Sequence, residues 1–181
     1  MTLKELLTGA LLQLDRGTDA QTLESWRDKL TRYLNDALID LTGELQPWRT
    51  DELTLNAGVL DLAELPRDVV KVLALSRGGT RLPFYYGLST EKLRVPAADD
   101  GAVLVTYRYM PEPLKVDTDV PDLPEWCHGA LVSYTVGRER ASGDANSIAA
   151  ARACFELYNA AKRLMRVQRG ELSAYAIENR G

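Results

Sequence analysis

The sequence is poor in the residues that most often build an enzyme site, with one histidine and two cysteines among 181 residues. Cys127 and Cys154 are too few for a disulfide framework, so they favour synthesis in a reducing cytoplasm. One histidine and two cysteines also leave a four-ligand zinc set incomplete unless chains share ligands. His128 directly follows Cys127, but neighbouring side chains on a helix diverge by about 100°. We therefore expect a structural role for His128 rather than a catalytic Cys–His pair.

Long apolar runs and a strong excess of one charge are also missing. No stretch approaches the roughly 20 apolar residues that a membrane-spanning helix needs. The first residues contain no basic segment followed by an apolar core, so we expect no signal peptide. The composition is 45% hydrophobic and 27% charged, with a formal net charge of −4. These values indicate a folded protein and argue against both a disordered segment and a general nucleic-acid coat.

Motifs for phosphate binding, acyl transfer and calcium binding do not occur in the sequence. There is neither a glycine-rich phosphate fingerprint nor a Gly-x-Ser-x-Gly elbow. The acidic run of Asp117, Asp119 and Asp122 lacks the glycine and the distal glutamate of an EF-hand, so we interpret it as a solvated loop. We predict a non-enzymatic protein with no cofactor, no metal and no catalytic residues. An enzyme whose site carries no recognisable motif is the weaker alternative.

Apolar residues at helical spacing occur at both ends of the chain. Residues 3–14 and residues from about 20 to 45 each carry one apolar stripe, and the second stripe predicts a long helix. Thr2 and Glu5 fit a capping box at the start of the first helix. Two further helices are predicted: one over residues 125–141, and a last helix that is capped by Asp144 or Ser147 and ends at Gly170. The inward positions expected on the last helix are Ala151, Cys154, Phe155, Tyr158, Ala161, Leu164 and Met165.

Between these helices the apolar period changes from about 3.6 to about 2, which indicates short strands over residues 48–110. Turn residues separate the strands at 56–58, at Gly78–Gly79 and at 99–101, and the first two predict tight hairpins. The aromatic residues of this region are expected in its core, with a subunit interface as the alternative. They are Trp48, Phe84, Tyr85 and Tyr86.

Together these segments predict an α+β fold. A helical bundle of about four helices, one of them long, carries an inserted small antiparallel β-subdomain and ends in a C-terminal tail. The predicted boundaries are 1–47 for the N-terminal helices, 48–110 for the β-rich insert, 111–124 for a connecting loop, 125–170 for the C-terminal helices of the same bundle and 171–181 for the tail.

The last predicted helix ends with a concentration of basic residues. Lys162, Arg166 and Arg169 are spaced so that they share one helix face. This face fits either DNA phosphates or an acidic partner. A solvated helix end that complements the helix dipole is the interpretation we favour. Few aromatic residues alternate with these charges, so base stacking is not indicated.

The order of motifs along residues 20–170 is distinctive. A long helix contains residues 30–38, and residues 61–72 lead through an apolar-Pro-x-Asp-apolar pattern into a strand. The strand of residues 105–109 is followed by Met110-Pro111, and an Asp/Pro-rich loop over 117–125 precedes the helix that includes 130–134. Residues 138–144 then introduce a last helix with Phe-Glu-Leu-Tyr at 155–158. This order resembles the head-to-tail adaptor proteins (head-completion or connector proteins) of tailed bacteriophages, in the version with a β-rich insert.

The resemblance implies a structural protein at the head–tail interface of the virion, made in the host bacterial cytoplasm. Such proteins form a ring, commonly of twelve copies, that docks below the portal and extends the DNA channel. The implied partners are the portal protein, tail or tail-fibre (nozzle) proteins and further copies of the chain. Genomic DNA would pass through without specific binding, and no membrane is involved.

The resemblance also suggests which residues make contacts. In this family the C-terminal segment often reaches the portal, so the portal-binding candidates are Arg166, Arg169, Tyr175, Ile177 and Arg180. An acidic chain suits a channel wall, and the candidates for it are Asp117, Asp119 and Asp122, or the turn at Asp99 and Asp100. Two other functions stay open: a different phage tail-completion protein, and a cytoplasmic nucleic-acid-binding or regulatory module that uses the basic last helix.

Overall fold

A computed structural model of the chain describes residues 1–87, 89–96 and 99–178, with side chains described up to Val167. The described backbone contains four α-helices and an antiparallel arrangement of strands, which confirms the predicted α+β fold. The chain divides into two compact units. We call Met1–Leu45 with Pro111–Gly181 the helical unit, and Gln46–Met110 the β unit.

The helical unit begins with the capping box that the sequence predicts. The Glu5 backbone N–H donates to the Thr2 hydroxyl at 3.3 Å, and the Thr2 N–H donates to the Glu5 carboxylate at 2.8 Å. Asp144 caps the last helix by accepting the Ser147 N–H at 2.8 Å. A short 3-10 turn, Glu125–Cys127, leads into the third helix. The helices are α1 (Leu3–Gln13), α2 (Ala20–Leu45), α3 (His128–Arg140) and α4 (Ala145–Glu178).

The core of the helical unit is rich in leucine. Leucines of α1 and α2 pack against α3 and α4, where Leu131, Tyr158 and Met165 are buried. Each such side chain contributes about 1.5–3 kcal/mol by leaving water. Residues 111–124 belong to the same unit, since Leu114 is buried in this core and its backbone N–H and C=O bond the Asn35 amide at 2.8 and 3.0 Å.

The structure differs from the sequence interpretation at two places on α4. The sequence predicts that Leu164 and Met165 both point inward. Met165 is fully buried, but Leu164 is 58% exposed, because successive helical residues point about 100° apart. The helix also runs through Gly170 to Glu178, where the sequence predicts a tail. A glycine in a helix costs only about 1 kcal/mol relative to alanine, and the following residues include the good helix formers Glu171, Leu172 and Ala174.

The β unit contains two antiparallel sheets. One has four strands in the order β1-β7-β3-β4, and the other has three in the order β2-β6-β5. The strands are β1 (Trp48–Leu55), β2 (Val59–Asp61), β3 (Val69–Arg77), β4 (Thr80–Leu82), β5 (Tyr85–Tyr86), β6 (Lys92–Arg94) and β7 (Gly101–Tyr109).

Both predicted glycine turns are present. Gly78 and Gly79 have φ values of +55° and +81° between the paired residues Arg77 and Thr80, which makes a two-residue hairpin of β3 and β4. The turn after β1 is similar, because Asn56 and Val59 exchange backbone hydrogen bonds of 3.0 and 2.9 Å. Beyond that bridge the two strands separate: β1 pairs with β7, and β2 pairs with β6.

The core of the β unit excludes most of the aromatic residues expected there. Trp48, Tyr85 and Tyr86 are 55%, 54% and 47% exposed, so their predicted core position is wrong. Side chains alternate along a strand, and the burial of Leu53 and Leu55 turns the opposite face of β1, with Trp48, outward. Tyr85 and Tyr86 form the edge strand β5. Phe84 is half-buried against the core.

Candidate interaction surfaces

Cys127 and His128 hold structural positions where α3 begins. Burial raises the pKa of the Cys127 thiol to about 11, so the thiol stays protonated at neutral pH. Its Sγ donates to the Pro124 carbonyl at 2.7 Å. The His128 ring is 2% exposed, with Nδ1 2.9 Å from the Met1 amino group and Nε2 3.0 Å from the Leu123 carbonyl oxygen. Each of the two side chains is therefore hydrogen-bonded to a different group, and they do not bond each other as a catalytic Cys–His pair would.

The acidic segment of residues 111–124 is fastened to the helices by its own aspartates. The Asp117 carboxylate pairs with the Arg27 guanidinium of α2, and this contact raises the pKa of Arg27. Asp119 accepts the backbone N–H groups of Val116 and Lys115 at 2.9 and 2.7 Å, which lowers the pKa of its carboxyl. Its carbonyl accepts the Leu3 N–H at 2.7 Å. The predicted channel-facing residues Asp117 and Asp119 therefore hold this segment on α1 and α2 or in its own turn.

The remaining acidic candidates are Asp122, Asp99 and Asp100. Asp122 is half-buried further along the same segment. Asp99 and Asp100 lie in the β unit, where the Asp99 carbonyl accepts the Arg77 Nη1–H at 2.7 Å. Among the described residues, no group of three or more His, Cys, Asp or Glu side chains is placed to hold a metal ion.

The basic face of α4 is paired with carboxylates of α2. Lys162 Nζ donates to both Asp40 oxygens at 2.9 and 2.8 Å. Arg166 Nε and Nη2 donate to the two Glu44 oxygens at 2.6 and 2.8 Å, and this guanidinium holds the pKa of Glu44 down at about 2. The portal-binding candidate Arg166 thus has a partner within its own chain.

The remaining portal-binding candidates are located only in part. Arg169, Tyr175 and Ile177 lie on the α4 backbone beyond the described side chains, and Arg180 lies outside the described residues. The structure therefore places these three candidates along one helix.

An outward row of apolar residues lies on α4, and it is not among the sites that the sequence predicts. Leu157, Leu164 and Val167 are 65%, 58% and 62% exposed and follow one another at intervals of seven and three residues. Ala153 precedes them and Ala160 lies between the two leucines, both on the same side, and we call these five residues the α4 stripe. The buried residues Ala151, Tyr158 and Met165 lie on another side of the helix. Leucines seven residues apart were the available signal in the sequence.

The outer side of α2 carries exposed charges of alternating sign. Asp28, Arg32 and Asp36 follow at intervals of four residues, and Ile39, which is 49% exposed, shares their side. We call these four residues the α2 acidic face. A groove between this face and Lys115 of the 111–124 segment is lined by Asp28, Thr31 and Asp36.

The outward face of the four-stranded sheet is also partly apolar. Trp48 lies opposite Arg108, and Leu104, which is 44% exposed, lies opposite Glu52. Between these two pairs the Thr50 and Thr106 hydroxyls are hydrogen-bonded at 2.9 Å. Apolar side chains flanked by charged ones thus face outward on the β unit as well.

Exposed apolar patches flanked by charges are typical of surfaces that bind other proteins, and both units carry one. These surfaces are those of a protein that is a component of a larger protein assembly. A family model described as SU10 adaptor protein matches residues 1–178 of the chain. The chain therefore belongs to the SU10 adaptor protein family, which confirms the resemblance to phage adaptors. No curated protein matches the chain.

Membership in this family makes the chain a phage structural adaptor, and it indicates a non-enzymatic role. It also implies contacts with other phage head and tail proteins and a place in the virion. Within the described parts of the chain, no helix has the length and apolar character needed to span a bilayer.

Proposed function

We propose that the protein forms a ring of twelve copies between the portal and the tail, and that this ring extends the DNA channel. The observation that carries the proposal is the match of residues 1–178 to an adaptor family. The exposed apolar surfaces of both units support it, because a subunit of a ring must bury surface against neighbours on two sides.

The end of α4 is the proposed portal contact. Met165 is fully buried in the helical unit, and the helix continues beyond it to Glu178, a length of about 20 Å. Arg166, Arg169, Tyr175 and Ile177 lie on this part, and Arg180 follows. Because Arg166 already binds Glu44, we expect the other candidates to contribute more to portal affinity.

Residues 111–124 are the proposed acidic contribution to the channel wall. The chain has a formal net charge of −4, and a negatively charged wall repels DNA phosphates instead of binding them. Asp119 and Asp122 would contribute most of this negative charge, whereas Arg27 offsets the charge of Asp117, which holds the segment on α2.

The test of the ring combines the full-length chain with the portal and measures the mass of the assembly. We expect twelve copies per portal, and electron microscopy of particles should show the ring directly below the portal with residues 111–124 at the channel. A location elsewhere in the tail would support a tail-completion protein instead, and an absence of portal binding would contradict the adaptor position.

A truncation tests the portal contact separately. Removal of residues 171–181 is expected to weaken portal binding while the circular dichroism and thermal unfolding of the helical unit change little, since its described core ends at Met165. The matched control is Arg166→Ala, for which we expect the smaller loss. Unchanged portal binding by the truncated chain would contradict a C-terminal contact without contradicting the ring.

The structure does not favour nucleic-acid binding by the basic helix. Lys162 and Arg166 are neutralised by Asp40 and Glu44, which reduces their attraction for phosphates. A steep salt dependence of DNA affinity that disappears in Arg166→Ala/Arg169→Ala would be needed to support that alternative.

A further inference from the structure

We propose that the α4 stripe of one copy packs against the α2 acidic face of the next copy, so that two different surfaces of the helical unit form each subunit contact. This inference rests on the proposed ring and names the residues that close it.

The apolar part of the contact comes from the exposure of the α4 stripe. Leu157, Leu164 and Val167 are each more than half exposed although α4 also contributes buried residues to the core. An apolar row of this kind gains free energy when it is covered, at about 25 cal/mol per Å² removed from water. Ile39 is the corresponding exposed apolar residue of the α2 acidic face.

The charges beside the two surfaces have complementary order. Along one flank of the α4 stripe lie Arg152, Glu156 and Arg163, all exposed, with signs plus, minus, plus. The α2 acidic face carries Asp28, Arg32 and Asp36, also exposed, with signs minus, plus, minus.

The distances along the two helices are compatible with pairing of these charges. The α4 charges span about 16 Å and the α2 charges span about 12 Å, a difference that arginine side chains can bridge. The proposed contact has the two helices running in the same direction, which places Asp36 opposite Arg163 and Ile39 beside Leu164 of the α4 stripe.

These charges are available for a partner. In the part of the chain that the structure describes, Arg152, Arg163, Asp28 and Asp36 form no ion pair, whereas the neighbouring cations Lys162 and Arg166 are bound by α2. Unpaired exposed charges of opposite sign on two surfaces of the same unit select a contact between copies.

A contact between two α4 stripes would be two-fold, and a two-fold contact is complete with two copies. A contact between two different surfaces leaves one of each surface free for the next copy. Contacts of that type generate a ring when the rotation between subunits closes.

Charge reversal tests the contact in the full chain assembled on the portal. Arg163→Glu and Asp36→Lys alone are each expected to weaken ring formation about tenfold or more, since each sets like charges together, and the double variant should recover most of the loss. Lys4→Glu, at an exposed α1 position, is the matched control and should assemble normally. Circular dichroism confirms that each variant is folded.

Crosslinking tests the pairing of surfaces directly. Leu164→Cys and Ile39→Cys are prepared in a Cys154→Ser background, and a short bismaleimide should join the two variants when they are mixed in a ring. Neither variant alone should give a covalent dimer. Dimers of Leu164→Cys alone would overturn the proposal in favour of a two-fold contact.

The remaining outcomes separate this inference from the proposed function. A ring that forms normally in both charge-reversed variants overturns the contact and leaves the ring intact. If Arg163→Glu loses portal binding while its copies still associate with one another, the α4 stripe binds the portal, and the proposed contact between α4 and α2 is overturned. A wild-type chain that never forms a ring overturns the proposed function itself.

Discussion

Glu44 of α2 forms a salt bridge with α4, and the pKa of its carboxyl group is strongly lowered. It accepts two hydrogen bonds from Arg166 and lies 3.6 Å from Lys162 Nζ, while its own side chain is only 18% exposed. The guanidinium lowers the pKa of Glu44 to about 2 although burial alone would raise it. Folding therefore stabilises the ionised form of this residue.

The shift predicts acid sensitivity that depends on Glu44. A carboxyl whose pKa is lowered in the folded state adds stability above its unfolded pKa, near 4.5, and that stability is lost as the pH falls towards 2. We expect Glu44→Gln to lower the free energy of unfolding by up to about 1 kcal/mol at pH 7, because Arg166 is more than half exposed and solvent screens the pair. Urea denaturation at pH 7 and at pH 3 measures the difference.

The difference between wild type and Glu44→Gln should shrink at the lower pH. Glu156→Gln, at an exposed carboxylate of α4, serves as the matched control and should change the unfolding free energy little at either pH. If Glu44→Gln lowered the free energy of unfolding equally at pH 3 and pH 7, that result would contradict the role of the ionised carboxylate.

The sequence could not predict how these charged residues are used. It correctly marks Lys162 and Arg166 as one basic face because a helix fixes their relative direction. The carboxylates that bind them lie 122 residues earlier in the chain, and only the packing of α4 on α2 brings them together. Interactions at such separation leave no local pattern, so the sequence alone presents Arg166 as a candidate portal contact and does not show its bond to Glu44.

At the scale of elements, the features that the sequence predicts well are local. The Thr2–Glu5 capping box, the Asp144 cap and the Gly78–Gly79 hairpin each depend on residues within four positions of one another. The pairing of β1 with β7 joins residues about 50 positions apart in the chain. The alternation of apolar and polar residues predicts a strand but does not specify which strand it pairs with. Residues at the margin of a helix face, such as Leu164, depend on how the helix is rotated against its neighbours.

The close contact of α3 with α4 gives a prediction for one glycine. A Cβ at Gly137 would lie 3.1 Å from Phe155 Cε1 and 3.3 Å from Cys154 Cβ, so α4 passes directly over this backbone. Gly137→Leu is expected to force the two helices apart and to lower the free energy of unfolding by about 1–3 kcal/mol. Chemical denaturation of the full chain measures the effect.

Gly43 of α2 provides the matched control. A Cβ added there meets nothing within 4 Å, so Gly43→Ala brings only the better helix propensity of alanine and should stabilise the protein by up to about 1 kcal/mol. Opposite signs for the two substitutions are the expected result. A neutral Gly137→Leu would mean that the contact between α3 and α4 is looser than these distances require.

At the scale of the molecule, the β unit begins and ends at neighbouring positions. Trp48 at the start of β1 pairs with Arg108 near the end of β7, so the chain enters and leaves this unit on adjacent strands. The unit is continuous in sequence and has a hydrophobic core of its own. Both properties are typical of a domain inserted into another domain.

We therefore expect the fragment of residues 46–110 to fold alone. At about 65 residues its stability should be only a few kcal/mol, because small domains bury little surface. A cooperative urea transition and dispersed amide resonances would show folding, and Val105→Asp, at a fully buried position, should abolish both. A wild-type fragment without a cooperative transition would contradict an independently folding β unit.

The division of the helical unit by the β unit also fixes an order of events during synthesis. The leucines of α1 and α2 cannot be fully covered until α3 and α4 have been translated, yet the continuous β unit is complete before then. At roughly 5–20 residues per second, its about 65 residues add roughly 3–13 s to that wait. The apolar side of α2, including Leu30, Leu34 and Leu38, therefore emerges from the ribosome well before its partners, and chaperone binding to nascent chains should be strongest in this interval.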